Sequence, residues 1–212
     1  MLAYIITVVA AYLLGSIPTG YLAARAKGID IRTVGSGNIG ATNAMRVLGK
    51  PAGITVLLVD ALKGYAAVEW IVPLLMKISN PDADIETLRI VAGIAVVLGH
   101  NFTCWLRFKG GKGIATSGGA YLALAPLAVG IALAAFILAL CLTRYVSIGS
   151  IAAAIALAAA VWCLPDHNVF LGLVTTALGA MAIYKHKSNI KRLMAGTESR
   201  IGKKPAIQEA TK

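Results

Sequence analysis

Long apolar runs alternate with short polar stretches along the whole chain. Runs near the roughly 20 residues that a helix needs to cross a bilayer cover 2–23, 53–76, 88–106, 145–164 and 168–185. Residues 113–143 carry no charged side chain and are long for one such helix and short for two. Lys and Arg concentrate on the cytoplasmic side of membrane proteins, so the polar stretches orient the runs. The 25–50 loop holds Arg25, Lys27, Arg32, Arg46 and Lys50 against Asp30, and the 107–112 loop holds Arg107, Lys109 and Lys112; both read as cytoplasmic. The 77–87 stretch sets Lys77 against Asp82, Asp84 and Glu86 and reads as external. The segment from Lys185 onward is basic again and reads as cytoplasmic. Counting back from it puts Arg144 inside, so 113–143 must cross outward and return as two short helices, breaking near Pro126 or Gly130. The pattern predicts an all-α integral membrane protein with seven transmembrane helices, the N-terminus outside and the C-terminus cytoplasmic. Residues 1–196 form one domain in this reading, and 197–212 a polar, disordered tail.

Composition agrees. Hydrophobic residues make up 58% of the 212 and charged residues 14%, well above the apolar share of a soluble domain. The formal net charge of +11 is dispersed over short loops rather than gathered into a nucleic-acid groove. Cys104, Cys141 and Cys163 have neither metal-ligand nor disulfide spacing and read as small hydrophobes. The first run lacks a positive leader, its charges Arg25 and Lys27 follow it, and it reads as a retained span.

Four polar segments carry the candidate chemistry, all on the predicted cytoplasmic side. The first is Gly35-Ser36-Gly37-Asn38-Ile39-Gly40-Ala41-Thr42-Asn43. Glycines allow backbone amides to converge on an anion, and Ser36, Asn38 and Thr42 add side-chain donors. A short helix over Ala41–Leu48 would turn its N-terminus to a phosphate, with Arg46 one turn beyond Thr42 on the same face. The second is Phe108-Lys109-Gly110-Gly111-Lys112-Gly113-Ile114-Ala115-Thr116. It has the parts of a phosphate loop but not the Walker spacing, which speaks against ATP hydrolysis. His100, in Gly99-His100-Asn101 just upstream, reads as a residue that orients this loop. The third is Arg144-Tyr145-Val146-Ser147, where Ser147 either caps a helix or binds substrate. In the fourth, Tyr184 to Leu193 and ending in Gly196-Thr197-Glu198, the residues His186, Asn189 and Arg192 are three apart and line one helical face. Such a face suits a small polyol phosphate better than a lipid surface.

Asp60, Lys63 and Glu69 lie inside the second apolar run, where ionisable groups are costly. Asp60 and Lys63, three apart, can pair; Glu69 lies near the outer end, within reach of water. No histidine is followed five residues later by aspartate, and no nucleophile elbow or metal cluster is present. A reaction here must rest on positioning and charge stabilisation rather than on a protein base. No cofactor or metal is called for. A transporter of small phosphorylated anions is the competing class, disfavoured because the donors gather on one side with no matching outer site.

Together, GSIPTGY, GSGNIGATN, LGHNF, FKGGKGIAT, RYVS and YKHKSNIKRL make the chain resemble the PlsY family, the acyl-phosphate-dependent glycerol-3-phosphate acyltransferases of bacteria. The resemblance runs over nearly the whole chain and is carried most specifically by the second and fourth of these motifs. Thr103 stands where the family commonly has proline, and Lys187 where it commonly has arginine; neither exchange removes a charge, and activity is expected to survive. The resemblance implies seven spans with cytoplasmic motifs, in the bacterial inner membrane. It also implies acyl transfer from acyl phosphate to the 1-hydroxyl of glycerol 3-phosphate, giving lysophosphatidic acid. The partners are then these two small molecules and membrane lipids, with no nucleic acid, and a monomer suffices. Ser36, Gly37, Asn38, Thr42, Gly110, Gly111, Lys112 and Gly113 would hold the acyl phosphate. Arg46, Ser147, His186, Asn189 and Arg192 would orient glycerol 3-phosphate. The donor's own phosphate would take the hydroxyl proton, with His186 as the secondary candidate for proton transfer.

Overall fold

The computed structural model describes residues 1–79, 84–165 and 168–202 and is helical, with no strand among them. In chain order the helices are α1 (Leu2–Ser16), α2 (Thr19–Arg25), α3 (Ala41–Leu48), α4 (Lys50–Ala66), α5 (Val72–Ser79), α6 (Ile85–Asn101), α7 (Ile114–Leu124), α8 (Pro126–Thr143), α9 (Val146–Cys163), α10 (Val169–Lys185) and α11 (Lys187–Met194). A π-helical turn, Ala67–Ile71, joins α4 to α5, and a 3₁₀ turn, Cys104–Leu106, follows α6.

Four segments are long and apolar enough to cross a membrane: Leu2–Arg25, Ile85–Leu106, Pro126–Thr143 and Val146–Cys163. The pair α10–α11, bent by 51°, makes a fifth if taken as one span. The run from α4 through α5 falls outside this set: α4 has 17 residues and the π-helical turn separates it from α5. With 11 residues, α7 is shorter than a full crossing. Large apolar side chains on the outer faces, such as Leu127, Leu133, Leu138 and Leu142 of α8, are exposed. That is the surface of a protein whose solvent is lipid rather than water.

Two prolines place the breaks. Pro126 is the first residue of α8, and Ala125 before it is extended at φ −151°. The uncharged stretch therefore divides at the first of its two expected breakpoints, as proline disfavours helix in the residue before it. Pro18 divides the first apolar run into α1 and α2, a break the periodicity did not predict. Proline has no N–H to give the Leu14 carbonyl, which accepts from the Ile17 amide at 3.2 Å, and the Ile17 carbonyl at the break accepts from the Thr19 amide at 3.1 Å and from Lys63 Nζ at 2.9 Å.

Interiors between these helices are made by small residues. A Cβ on Gly15 of α1 would lie 2.1 Å from the Val96 carbonyl oxygen of α6, and one on Gly119 of α7 would lie 1.8 Å from that of Ala61 in α4. Backbones so close exclude any side chain, the usual packing solution where lipid supplies no hydrophobic drive between helices. Around these contacts lies a core of Val68, Val72, Leu88, Val96 and Val97. A second cluster holds Ile90 and Tyr121, and the Tyr121 hydroxyl is bonded to Thr175 Oγ1 at 2.7 Å. Thr103 is explained locally: its hydroxyl donates to the Ser16 carbonyl at 2.6 Å, tying the end of α6 to the end of α1.

Glu69, expected to reach the surface, keeps 37% of its side chain exposed and is also paired with Arg89 of α6, whose guanidinium donates to the Ala123 carbonyl at 3.1 Å. Asp82 of the expected outer loop, His167 and residues 203–212 of the expected tail lie outside the described residues. The start of that tail is held against the body. The Ile201 amide donates to the Arg144 carbonyl at 2.9 Å, and Glu198 is 8% exposed.

Candidate functional site

Three of the four polar segments meet around one cavity of about 300 Å³, lined by Ser36, Gly37, Asn38, Phe102, Gly110, Lys112, Tyr184, Lys185, Lys187, Ser188 and Arg192. The loop before α3 contributes one wall, the glycine turn before α7 a second, and the α10–α11 elbow a third.

The first wall is organised by Asn43. Its buried carboxamide donates to the carbonyls of Asn38 at 2.9 Å, Val34 at 3.1 Å and Ile31 at 3.3 Å, and accepts from the Ser36 amide at 2.8 Å. Gly35 and Gly37, with φ of 61° and 69°, supply the left-handed turns the loop needs. The Gly37 amide donates to the Val34 carbonyl at 3.0 Å and that of Gly40 to Asn38 Oδ1 at 2.9 Å. Of the amides expected to converge on an anion, those of Ser36, Gly37 and Gly40 are thus bonded within the loop. Ser36 and Asn38 bring polar side chains to this wall.

The glycine turn follows the same economy. Gly110 N–H donates to the Asn101 carbonyl at 3.2 Å and Gly111 N–H to that of His100 at 3.0 Å. A Cβ on Gly111 would fall 2.1 Å from His100 Nε2. The glycines are needed because the turn lies on Gly99-His100-Asn101, and not because their amides face the cavity. Gly113, at φ 81°, then starts α7. His100 does orient the loop, as expected, through its carbonyl and the flank of its ring.

The third wall carries the densest polar network. Lys112 Nζ is hydrogen-bonded to Asn189 Oδ1, joining the glycine turn to α11. Glu198 accepts from Ser147 Oγ at 3.0 Å, Asn189 Nδ2 at 2.7 Å and Arg192 Nε at 2.7 Å. Arg46, exposed on α3, lies within electrostatic reach of Glu198 and Arg192. The third polar segment, through Ser147, is therefore joined to the site by Glu198 and not by lining the cavity. Arg200 adds a bond to the Tyr145 hydroxyl at 2.9 Å.

Burial, and then the nearby Lys112 charge, hold His186 down to about 4 against the opposing pull of the Ala182 carbonyl and Glu198, so it is neutral near pH 7. His186 is 3% exposed, and its Nδ1 lies 2.8 Å from the Ala182 carbonyl. That contact fixes the proton on Nδ1 and leaves Nε2 as the acceptor. Burial also pushes Lys112 down to about 8, with Glu198 raising it and Arg192, Arg46 and Lys185 lowering it. Only the ammonium form attracts a phosphate. Any turnover at this cavity is therefore expected to fall as pH rises through about 8, and Lys112→Arg to abolish that fall, because a guanidinium stays charged there. A pH–rate profile of both forms decides it; a fall that persists in Lys112→Arg would assign it elsewhere.

Of the residues singled out from sequence, Ser36, Gly37, Asn38, Gly110, Lys112 and Arg192 line the cavity. Ser147, His186 and Asn189 stand behind it, and Gly111 and Gly113 are buried beneath the turn. Thr42 and Arg46 belong to α3 and are not on the cavity wall. Sequence reasoning missed Asn43 as an organiser, and it set Glu198 at the end of the fourth polar segment and the start of the tail without giving it the role of hub.

Fold and site together define a protein helical throughout its described residues, with several helices long and apolar enough to cross a membrane, that presents a cationic cavity of about 300 Å³ at one cluster of loops. The glycerol-3-phosphate acyltransferase family model matches residues 5–196, and the chain belongs to that family. A glycerol-3-phosphate acyltransferase of Trichlorobacter lovleyi is 47% identical over 200 residues, covering 94% of this chain and 98% of that one. One of Geobacter sulfurreducens is 46% identical with the same coverage. Among solved structures, the glycerol 3-phosphate form of PlsY (YgiH), an integral membrane glycerol 3-phosphate acyltransferase, superimposes with a TM-score of 0.83 at 38% identity, covering 94% of this chain and 96% of that one. Its lysophosphatidic acid form gives 0.80 at 37%, covering 94% and 95%.

Proposed function

We propose that this protein transfers a fatty acyl group from acyl phosphate to the 1-hydroxyl of glycerol 3-phosphate, giving lysophosphatidic acid and phosphate. The observation that carries the reading is the single cavity on which Lys112, Arg192, Ser36 and Asn38 converge from three separate segments. Both substrates bear a phosphate, and both must sit side by side. The solved relatives bound to glycerol 3-phosphate and to lysophosphatidic acid support the acceptor and the product.

In this reading Ser36, Asn38, Gly110 and Lys112 hold the acyl phosphate at the cavity wall, Gly111 and Gly113 set the turn beneath it, and Thr42 stands off the wall. Arg192 meets the acceptor at the wall, with Ser147 and Asn189 acting through Glu198, His186 from behind the wall and Arg46 through its field. The hydroxyl oxygen attacks the acyl carbon, the carbon–oxygen bond to phosphate breaks, and the departing phosphate takes the hydroxyl proton. The donor arrives activated, so catalysis reduces to holding two anions against cations in a partly desolvated cleft. His186 serves best as a neutral hydrogen-bonding partner of the acceptor. The acyl tail stays among the lipid-facing helices.

The topology that fits is seven crossings, with α4–α5 and α7 completing the set, in a bacterial inner membrane with the site facing the cytoplasm. The basic stretches around the cavity, from Arg25 to Lys50 and from Lys185 to Arg192, support that orientation. The test is acyl transfer to labelled glycerol 3-phosphate by the purified protein, supplied separately with acyl phosphate, acyl-CoA and acyl carrier protein thioester. Lysophosphatidic acid is expected from acyl phosphate alone; product from a thioester would sink the donor assignment.

A further inference from the structure

The buried charges beneath the site are not accounted for by substrate binding. Asp60 and Lys63, on α4, are 2% and 4% exposed, with Lys63 Nζ 2.8 Å from Asp60 Oδ1. Each has a second partner at the α1–α2 break. Lys63 donates to the Ile17 carbonyl at 2.9 Å, and Thr19 Oγ1 donates to Asp60 Oδ1 at 3.0 Å. A buried ion pair is weak evidence for stability, since desolvation offsets much of the attraction. Within an apolar segment it points to a task.

The pair's third neighbour shows what that task is. His100 Nδ1 lies 3.7 Å from Asp60 Oδ1, is buried, and has no hydrogen-bond partner among the described residues. The other edge of the same ring faces the phosphate turn: Nε2 occupies the space a Gly111 Cβ would take, 2.1 Å from it. The His100 carbonyl holds the Gly111 amide at 3.0 Å, and Lys112 follows at once.

We propose that Asp60 is a positioning residue of the transfer reaction, orienting the His100 imidazole so that the ring sets the height of Gly111 and Lys112 at the cavity. The inference rests on the reaction proposed above. A carboxylate facing Nδ1 favours the tautomer with its proton on that nitrogen. Nε2 then meets Gly111 as a bare lone pair; a proton there would have to fit into space the glycine turn already fills. Lys63 and Thr19 hold the carboxylate in place, so the geometry of the turn is set from inside the helix bundle. A substrate-positioning error of about 1 Å is enough to cost large factors in rate.

The test is a mutant cycle on the purified enzyme with acyl phosphate and glycerol 3-phosphate. Asp60→Glu keeps the pair with Lys63 but moves the carboxylate by one methylene. Asp60→Asn with Lys63→Met removes both charges together, so neither is left buried alone. Each is expected to lower kcat about tenfold or more, with thermal stability near that of the parent. In a His100→Ala background, neither is expected to lower kcat further, because residues that act as one unit are not additive. Parental kcat in Asp60→Glu would overturn the inference. So would losses that multiply with that of His100→Ala, or that follow a fall in Tm, since these mark a merely structural role. If the double variant does not fold, Asp60→Glu and its combination with His100→Ala decide alone. Absence of product from the parent enzyme speaks against the reaction itself, whereas an active parent with an unaffected Asp60→Glu speaks only against this inference.

Discussion

Lys112→Ala is expected to cut turnover by more than tenfold while leaving expression close to that of the parent. The ammonium stands on the cavity wall and is hydrogen-bonded to Asn189, so one side chain both presents charge to a phosphate and ties the glycine turn to α11. Partial burial strengthens it. Coulomb attraction that is worth about 1 kcal/mol at contact in water grows several-fold where the effective dielectric constant falls, and a tenfold loss needs only about 1.4 kcal/mol of transition-state stabilisation. The side chain supports no hydrophobic cluster, so folding should tolerate its loss. Arg46→Ala is expected to act in the same direction through its field at Arg192 and Glu198. Lys109, exposed on the same turn and off the cavity wall, is the control, and Lys109→Ala should change turnover by less than about twofold, as an exposed charge is largely screened. Steady-state rates at saturating acyl phosphate compare the three. Unchanged turnover in Lys112→Ala would refute the role given to it.

The legible parts of this protein are those that local sequence dictates. Apolar runs of bilayer length become helices because every backbone polar group must be paired in lipid, and Pro126 can only begin a helix or break one. The helix over Ala41–Leu48 was likewise readable from the glycines before it. What the sequence could not show is how the loops use their own hydrogen-bonding capacity. Gly37, Gly110 and Gly111 read as bare amides for an anion, yet each amide is bonded within the protein, and the carbonyls they meet on Asn101 and His100 are set by tertiary packing. The same holds for charges. Asp60 with Lys63 was visible because three residues separate them on a helix, whereas Arg89 with Glu69 lies 20 residues apart and depends on how α6 meets the π-helical turn.

Glu198 is the clearest case of a residue that pattern could not place, and removing it should have the broadest effect. Its bond to Ser147 spans 51 residues. Burial alone would raise its carboxyl, but hydrogen bonds from Asn189, Arg192 and Ser147 outweigh that and hold it below the ordinary glutamate value. A carboxyl lowered in the folded state stabilises the fold above its unfolded pKa and loses that contribution as pH falls through the folded value, so the latch is fully in force at neutrality. In Glu198→Ala, Arg192 and Asn189 lose a shared acceptor, and Arg46, Lys112 and Arg192 face one another without the only carboxylate near them among the described residues. The variant is expected to melt at a lower temperature and to lose more than about tenfold in kcat/KM, because one buried partner has been removed from a charged network. An anion should restore part of what is lost. Inorganic phosphate or glycerol 3-phosphate stabilises whatever state binds it in proportion to its occupancy, so the rise in Tm on adding either should be larger for Glu198→Ala than for the parent. Glu198→Gln, which keeps an acceptor but not the charge, should fall between the two. Equal shifts in parent and variant would show that Glu198 holds its neighbours by shape alone, and that the cations around it do not need an anion among them.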